Sequence, residues 1–252
     1  MYKKNNSTKE RHILFYSILI SVLYANTQHP VLANEITLNT ATVAPLNTPK
    51  LNGFLDLVVK EAFARNGYQL QTIHLPAERA LKNVNAGIED GEMLRIKGME
   101  KLYPNIIRVP EKIIDMEFVA FSHRKINMES GWSVLSKYAV SFINGWKIYE
   151  ENVPADAEII KLRTIKQLFS LLQKKRTDII LYERWGGLYH IKKNNIQSVL
   201  LLSPPLATKE MFIYLHKKHK KLVPKLAQTL KQIKRDGTYK KFANKTLAPL
   251  KQ

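Results

Sequence analysis

Residues 73–96, IHLPAERALKNVNAGIEDGEMLRI, decide the fold class of this chain. The stretch opens with the end of a strand, which Pro76 closes, and residues 77–86 then carry apolar side chains at helical spacing. Gly87 stands where a helix end favours a left-handed residue, and a second strand begins at residue 90. A strand, a helix and a strand within 24 residues form a compact βαβ unit, which predicts an α/β protein with a parallel sheet.

Two arginines mark the edges of this unit, Arg79 in the first helical turn and Arg95 at the end of the second strand. In parallel α/β sheets, ligands bind beyond the carboxyl ends of the strands. The N–H groups of a first helical turn also favour anions, so Arg79 is a candidate for binding an anionic ligand. The alternative for Arg79 is a structural ion pair with Glu78 or Asp90.

The composition is that of a folded protein with a core. The chain has 252 residues, of which 45% are apolar, and this length suffices for one or two domains. There are no cysteines. Disulfides, zinc–thiolate sites and cysteine nucleophiles are therefore excluded.

The N-terminal residues have the three-part pattern of a secretory signal peptide. Four basic residues lie within residues 3–11, a 13-residue apolar run covers residues 13–25, and residues 31–33, VLA, resemble a cleavage site. An apolar run of this length is too short to span a bilayer comfortably. We therefore expect cleavage after Ala33 and a periplasmic protein, with an uncleaved membrane anchor as the alternative.

The net charge of the whole chain is +19. Residues 1–33 carry four Lys/Arg and one Glu, which leaves +16 on the remaining chain. The lysines are dispersed and no nucleic-acid-binding motif is present, so we expect no nucleic-acid partner. Weak attraction to an anionic membrane or wall polymer stays open.

The order of elements predicts two lobes. The first hundred residues follow the pattern β-α-β-α-β, with Asn52 as the expected N-cap of the first helix, and a second α/β series starts at Tyr138. Polar or proline-marked breaks near residues 123–125 and 203–205 separate them. Lobe 1 is predicted to comprise residues 34–122 plus 204–252 and lobe 2 residues 123–203, joined by two hinge crossings without a continuous sheet between Phe121 and Tyr138.

This arrangement resembles the family 3 extracellular solute-binding proteins, which have the type II periplasmic-binding fold of amino-acid ABC transporters. The resemblance covers the whole chain after the signal peptide. It implies a non-enzymatic monomer without a cofactor, which captures a small polar ligand between two lobes for an ABC permease or a membrane sensor. The segments that carry it are residues 53–58, 76–81, 87–91, 175–180 and 233–239.

The resemblance also suggests ligand-binding residues. Amino-acid binders of this family usually hold the ligand carboxylate with a Thr and an Arg after the third strand, and here only Arg95 is available. They often hold the ligand amine with an Asp after a later strand, where this chain has Glu183. The alternatives are ion pairs of Arg95 with Glu92 or Glu100, and of Glu183 with Arg184.

Two aromatic residues complete the predicted site. Trp146 follows a glycine at a strand end and is a candidate for an apolar wall, while Tyr182 offers a hydroxyl or a ring face. Packing in the core is the alternative for both. The seven histidines have no metal-ligand spacing, and His216 and His219 lie in a lysine run that repels cations, so no metal is expected.

No catalytic motif accompanies these residues. The sequence lacks G-x-S-x-G, H-E-x-x-H and a phosphate-cradling loop. The alternatives to a binding protein are a dehydratase-like enzyme on the same scaffold, with Glu183 as acid or base, and a basic surface-binding protein. Replacing Arg95 with alanine is expected to weaken ligand binding by roughly 30- to several-thousand-fold and to leave folding almost unchanged.

Overall fold

The computed structural model describes Met1 and residues 34–250. The predicted signal peptide, apart from Met1, lies outside the described residues. Within the described part of the chain, no helix combines the length and the apolar character that a bilayer crossing requires.

Ten strands and seven α-helices make up the described part, together with four short 3-10 helices. The strands are β1 Asn34–Thr40, β2 Tyr68–His74, β3 Gly91–Ile96, β4 Ile106–Arg108, β5 Ile114–Ser122, β6 Ala139–Ile143, β7 Glu158–Leu162, β8 Ile179–Glu183, β9 Leu200–Leu201 and β10 Ala207–His216. The helices are α1 Phe54–Ala64, α2 Ala77–Ala86, α3 Lys147–Asn152, α4 Ile165–Gln173, α5 Arg184–Lys193, α6 Leu222–Arg235 and α7 Thr238–Thr246.

The βαβ unit predicted from residues 73–96 is present. β2 and β3 lie on opposite sides of β1 and both run parallel to it, so α2 crosses over β1 between them. Gly87 ends α2 with φ +78°, a left-handed conformation that glycine adopts without steric cost. The parallel α/β class inferred from this stretch is therefore confirmed.

The two faces of this sheet are covered by different helices, because neighbouring residues of a strand point to opposite faces. On β1, the Asn39 side chain bonds to the Ala80 carbonyl of α2 at 2.9 Å. The next residue, Thr40, bonds to Asn47 in the loop that leads to α1. The helices α1, α6 and α7 pack against one another on the α1 side.

The second half repeats the pattern with β7, β6 and β8 in parallel order, flanked by α4 and α5. Thr164 caps α4 and forms the predicted capping box with Gln167. The predicted cap of α1 is wrong, because Gly53 rather than Asn52 is the N-cap. The backbone of Leu46 passes so close that a Cβ at Gly53 would lie 2.5 Å from the Leu46 oxygen, which selects glycine there.

The antiparallel strands β5 and β10 connect the two halves. β10 pairs with β3 and β4 at its end and with β5 at its start, and the second part of β5 pairs with β8. The hydrogen-bonded path is therefore continuous between Phe121 and Tyr138, and the expected interruption of the sheet is wrong. A polar connector ends a strand, but it does not prevent the strands before and after it from pairing with the same strand elsewhere in the chain. The lobe bounds 34–122 plus 204–252 and 123–203 stay a prediction.

Candidate functional site

The carboxyl ends of β3 in the first half and β8 in the second half face each other along the first part of β5. At the end of β3, Ile96 pairs with Met211 of β10, which pairs with Ile114 of β5. At the end of β8, Glu183 pairs with Phe118 of β5. These two positions of β5 are four residue steps apart, which is about 13 Å of strand. The region between them is the candidate site.

The loop after β1 is held at this edge by a polar network. The Asn47 side-chain oxygen accepts hydrogen bonds from the hydroxyls of Thr40, at 2.9 Å, and of Thr42. Its amide nitrogen donates to the Asp56 carboxylate at 2.6 Å. Sequence reasoning missed this network, although polar residues that directly follow a buried strand gave a signal for it.

Exposed apolar side chains also lie at the carboxyl ends of the first three strands. Val43 follows β1 and is 50% exposed, while Ile73 near the end of β2 and Ile96 at the end of β3 are each 40% exposed. Most large apolar residues of the first half are buried in its core. Three exposed apolar side chains at one edge of the sheet form a surface that a ligand or the second half could cover.

Arg79 lies exposed on the first turn of α2. The two acids that offered it a structural ion pair are bound elsewhere: Glu78 pairs with Lys82 at 2.7 Å, and Asp90 pairs with Lys218 at 2.8 Å. The Arg79 guanidinium is therefore available to an anion from solution.

Arg95 instead has partners inside the protein. Its Nη2 lies 2.6 Å from the Glu92 carboxylate and donates to the Ala77 carbonyl at 2.6 Å. Glu92 is only 1% exposed, and its carboxylate oxygens have no well-aligned hydrogen-bond donor among the described residues. Burial raises the pKa of Glu92 to about 7, although the Arg95 charge opposes this shift. The ion pair that was the alternative for Arg95 is thus present.

An aromatic cluster lies near the carboxyl ends of β6 and β8 in the second half. The Trp146 ring stacks on Tyr182 at a centroid distance of 4.7 Å and on Tyr149 at 5.7 Å, and it meets the edge of Phe118 at 6.3 Å. Tyr182 is buried while Trp146 stays half-buried, so Trp146 presents the accessible part of the cluster. Burial raises the pKa of the Tyr182 hydroxyl, which therefore stays protonated.

Glu183 adjoins this cluster and caps helix α5. Its Oε2 accepts from the Trp185 N–H at 2.8 Å, and its Oε1 accepts from the Gly186 N–H. Arg184 pairs with Glu117 at 2.5 Å, so the expected alternative pair between Glu183 and Arg184 is not formed. Burial raises the pKa of Glu183 to about 7, although both N–H groups favour its charged form.

The five predicted residues thus fall into two groups. Trp146, Tyr182 and Glu183 lie together in the second half, and Arg79 and Arg95 lie at the edge of the first. Arg79 faces solvent, whereas Arg95 is bound to a buried acid that sequence reasoning treated only as an alternative partner. The described site residues offer cations, carboxyl groups and aromatic rings, which suit a small polar ligand.

Comparisons with known proteins agree with this architecture. No family model matches the sequence. An uncharacterized protein of Shewanella oneidensis is 26% identical over 223 residues, which is 83% of this chain and 83% of that protein.

Several solved structures share the fold. An ancestral arginine-binding protein bound to glutamine aligns with a TM-score of 0.69 at 18% identity, covering 85% of this chain and 98% of its own. The L-cystine solute receptor of Neisseria gonorrhoeae aligns with a TM-score of 0.65 at 18% identity, and the alignment covers 86% of this chain and 94% of the receptor. A histidine kinase sensor domain with similarity to periplasmic binding proteins aligns with a TM-score of 0.67 at 14% identity, and the alignment covers 84% of this chain and 96% of the sensor domain. The chain therefore has the type II periplasmic-binding fold, as the resemblance implied.

Proposed function

We propose that this protein is a periplasmic solute-binding protein without enzymatic activity, which captures a small amino acid or related organic acid between two lobes. It acts as a monomer, and it either delivers the ligand to an ABC permease or signals ligand binding to a membrane sensor. The observation that carries the proposal is that the carboxyl ends of β3 and β8 face each other along β5, with β10 between β3 and β5. That edge is where ligands bind in open α/β sheets.

The charges of the site support a ligand with a carboxylate. Arg79 is exposed and unclaimed by its acidic neighbours, and a guanidinium matches a carboxylate bidentately. Arg95 is a further candidate for the same carboxylate if the ligand displaces it from Glu92. Trp146 provides the accessible ring surface for the body of the ligand. Tyr182 and Glu183 are buried, and they contribute a ring face and an acceptor for the ligand amine only if the ligand displaces the Trp146 ring.

The fold supports a closing motion. β5 and β10 are the two strands that cross between the halves. A change in the backbone dihedral angles of their central residues would therefore move one half as a rigid body. The neighbours with this fold include a substrate-binding protein of an amino-acid ABC transporter and the histidine kinase sensor domain. Both kinds of partner therefore belong to the proposal.

A thermal-shift screen tests the proposal. Residues 34–252, which contain every described strand, are screened against amino acids, organic acids and polyamines. A ligand present at 100 times its Kd adds about 2.7 kcal/mol to the free energy of unfolding. Calorimetry with a hit should give one site per chain, and the ligand should be recovered unchanged.

Arg79→Gln is the variant for this test, and Lys60→Gln on α1 is its control, because Lys60 is also exposed and pairs with no carboxylate among the described residues. The first should weaken binding of an acidic hit, and the second, which removes the same charge from another helix, should leave it unchanged. Absence of any saturable ligand in the screen, or chemical conversion of the hit, would contradict the proposal.

A further inference from the structure

The C-terminal part of the chain concentrates positive charge. Residues 217–245 carry 11 Lys/Arg and a single acid, Asp236, whereas the whole chain has 40 Lys/Arg and 21 Asp/Glu. This one acid is already neutralised, because its carboxylate pairs with Arg65 at 2.5 Å. The segment comprises helices α6 and α7 and the short helix before them.

Four of these cations form a stripe on α6. The helix buries Leu226, Leu230 and Ile233 in the core of the first half. At 100° per residue, the exposed cations at positions 221, 225, 231 and 235 all lie on the opposite side, within one third of the helix circumference. Fourteen residues separate the first from the last, so the stripe is about 21 Å long.

Helix α7 extends the charged surface. It packs against α6 and places Tyr239 and Phe242 against the same core, while three lysines on its outer side are exposed. We call the exposed cations of both helices, together with the two lysines directly before α6, the basic face. Its members are Lys220, Lys221, Lys225, Lys231, Arg235, Lys240, Lys241 and Lys245.

The other cations of the segment have partners inside the protein. Lys218 pairs with Asp90 and Lys234 with Glu111, at 2.8 and 2.6 Å. Within residues 34–250, none of the eight residues of the basic face pairs with a carboxylate. Eight like charges on adjacent helices repel one another, and an external polyanion relieves that repulsion.

We propose that the basic face binds the anionic headgroups of a phospholipid membrane. Seven of its eight members are lysines, whose compact charges suit diffuse attraction rather than the bidentate contacts that arginines make with single phosphates. The two aromatic rings nearest to it, Tyr239 and Phe242, are half-buried, and the Tyr239 hydroxyl donates to the Ile113 carbonyl, so neither of them is presented for stacking on bases. The inference does not depend on the cleft or its ligand.

Vesicle sedimentation tests the proposal. Residues 34–252 are mixed with vesicles of equal parts phosphatidylglycerol and phosphatidylcholine, or of phosphatidylcholine alone, in about 0.1 M salt, where the Debye length is about 10 Å. We expect sedimentation only with the anionic vesicles. Binding should be lost in about 1 M salt, where the Debye length falls to about 3 Å.

A matched pair of variants separates the basic face from net charge. Replacing Lys221, Lys225, Lys231 and Arg235 by glutamine should weaken partitioning by on the order of 100-fold or more. The control replaces three lysines and one arginine around α4, at positions 166, 174, 175 and 176, which are equally exposed and unpaired among the described residues. Both variants have the same net charge, and the control should weaken partitioning by less than about 10-fold.

Three outcomes would overturn the proposal. Equal losses in both variants would show that net charge alone drives adsorption. Equal sedimentation with neutral vesicles would show that headgroup charge is irrelevant. Retention of duplex DNA without sedimentation of vesicles would assign the basic face to a nucleic acid. Circular dichroism of both variants verifies that the helices are intact.

Discussion

Replacing Arg95 by alanine tests whether this residue belongs to the ligand site or to the fold. The sequence predicted a cleft arginine whose removal would leave stability unchanged. The structure places its guanidinium 2.6 Å from the carboxylate of Glu92, which is 1% exposed. We therefore expect Arg95→Ala to destabilise the protein, in contrast to the sequence-based expectation.

The size of the effect depends on the charge of Glu92. When Glu92 is ionised, removing Arg95 leaves a buried carboxylate without its partner, which costs about 3–5 kcal/mol. When Glu92 is protonated, the main loss is the hydrogen bond from Arg95 to the Ala77 carbonyl, worth about 1 kcal/mol. The pKa of Glu92 near 7 divides these two regimes.

The sign of the pH dependence follows from that pKa. An unfolded glutamate has a pKa near 4.5, so between pH 4.5 and 7 the folded state binds more protons through Glu92 than the unfolded state. The free energy of unfolding of the wild type therefore falls by about 3 kcal/mol across this window on account of Glu92. Without Arg95 the folded pKa of Glu92 rises further, so the fall should continue above pH 7.

Urea denaturation of residues 34–252 at pH 5 and pH 8 measures the effect. Arg95→Ala should lower the free energy of unfolding by about 1 kcal/mol at pH 5 and by about 3–5 kcal/mol at pH 8. In a Glu92→Gln background the same replacement should cost about 1 kcal/mol at both pH values, since no charge is left to pair. The same loss at both pH values in the wild-type background would refute the pairing argument.

Three further predictions concern the second half. Glu183→Gln should flatten the stability profile between pH 4.5 and 7, since the raised pKa of this buried acid also destabilises the folded state as pH rises; an unchanged urea titration profile would contradict this. Gly187→Ala should lower the free energy of unfolding by about 1–3 kcal/mol, because a Cβ there overlaps the Phe121 ring. A thermal unfolding midpoint equal to that of the wild type would contradict this close approach. Trp146→Ala should weaken binding of a ligand found by the screen at least tenfold in calorimetry, and unaltered affinity would remove it from the site.

Patterns that act over short distances predicted most of the fold. The left-handed Gly87 and the Thr164–Gln167 capping box are each determined within a few residues, and the structure has both. The N-cap of α1 depends on the approach of Leu46, and the pairing of β5 with β8 depends on residues about 60 positions apart. Sequence periodicity contains no information on such contacts.

The same distinction applies to the candidate site. Strand ends predicted correctly which residues lie near the carboxyl edges, because that depends on element order alone. The partners of Arg95 and Glu183 could not be chosen, since each had several acids, bases or N–H groups within reach along the chain. The aromatic stack of Trp146 with Tyr149 and Tyr182 joins residues from different elements, and helix α3, which carries Tyr149, was not predicted at all.

The accessibility of the two walls also suggests an order of binding. In the first half, Arg79 and Ile73 are both exposed, so each is accessible from solution without any rearrangement. In the second half, Tyr182 and Glu183 are buried, and Trp146, which stacks on Tyr182, is the partly accessible member of the three. On the proposed function, we expect a ligand to meet the first half before the second, and Trp146 to contact it as the halves approach. Arg79 should then determine the association rate of an anionic ligand, because its charge acts on the free ligand, while Trp146 should determine the dissociation rate, because its contact forms after capture.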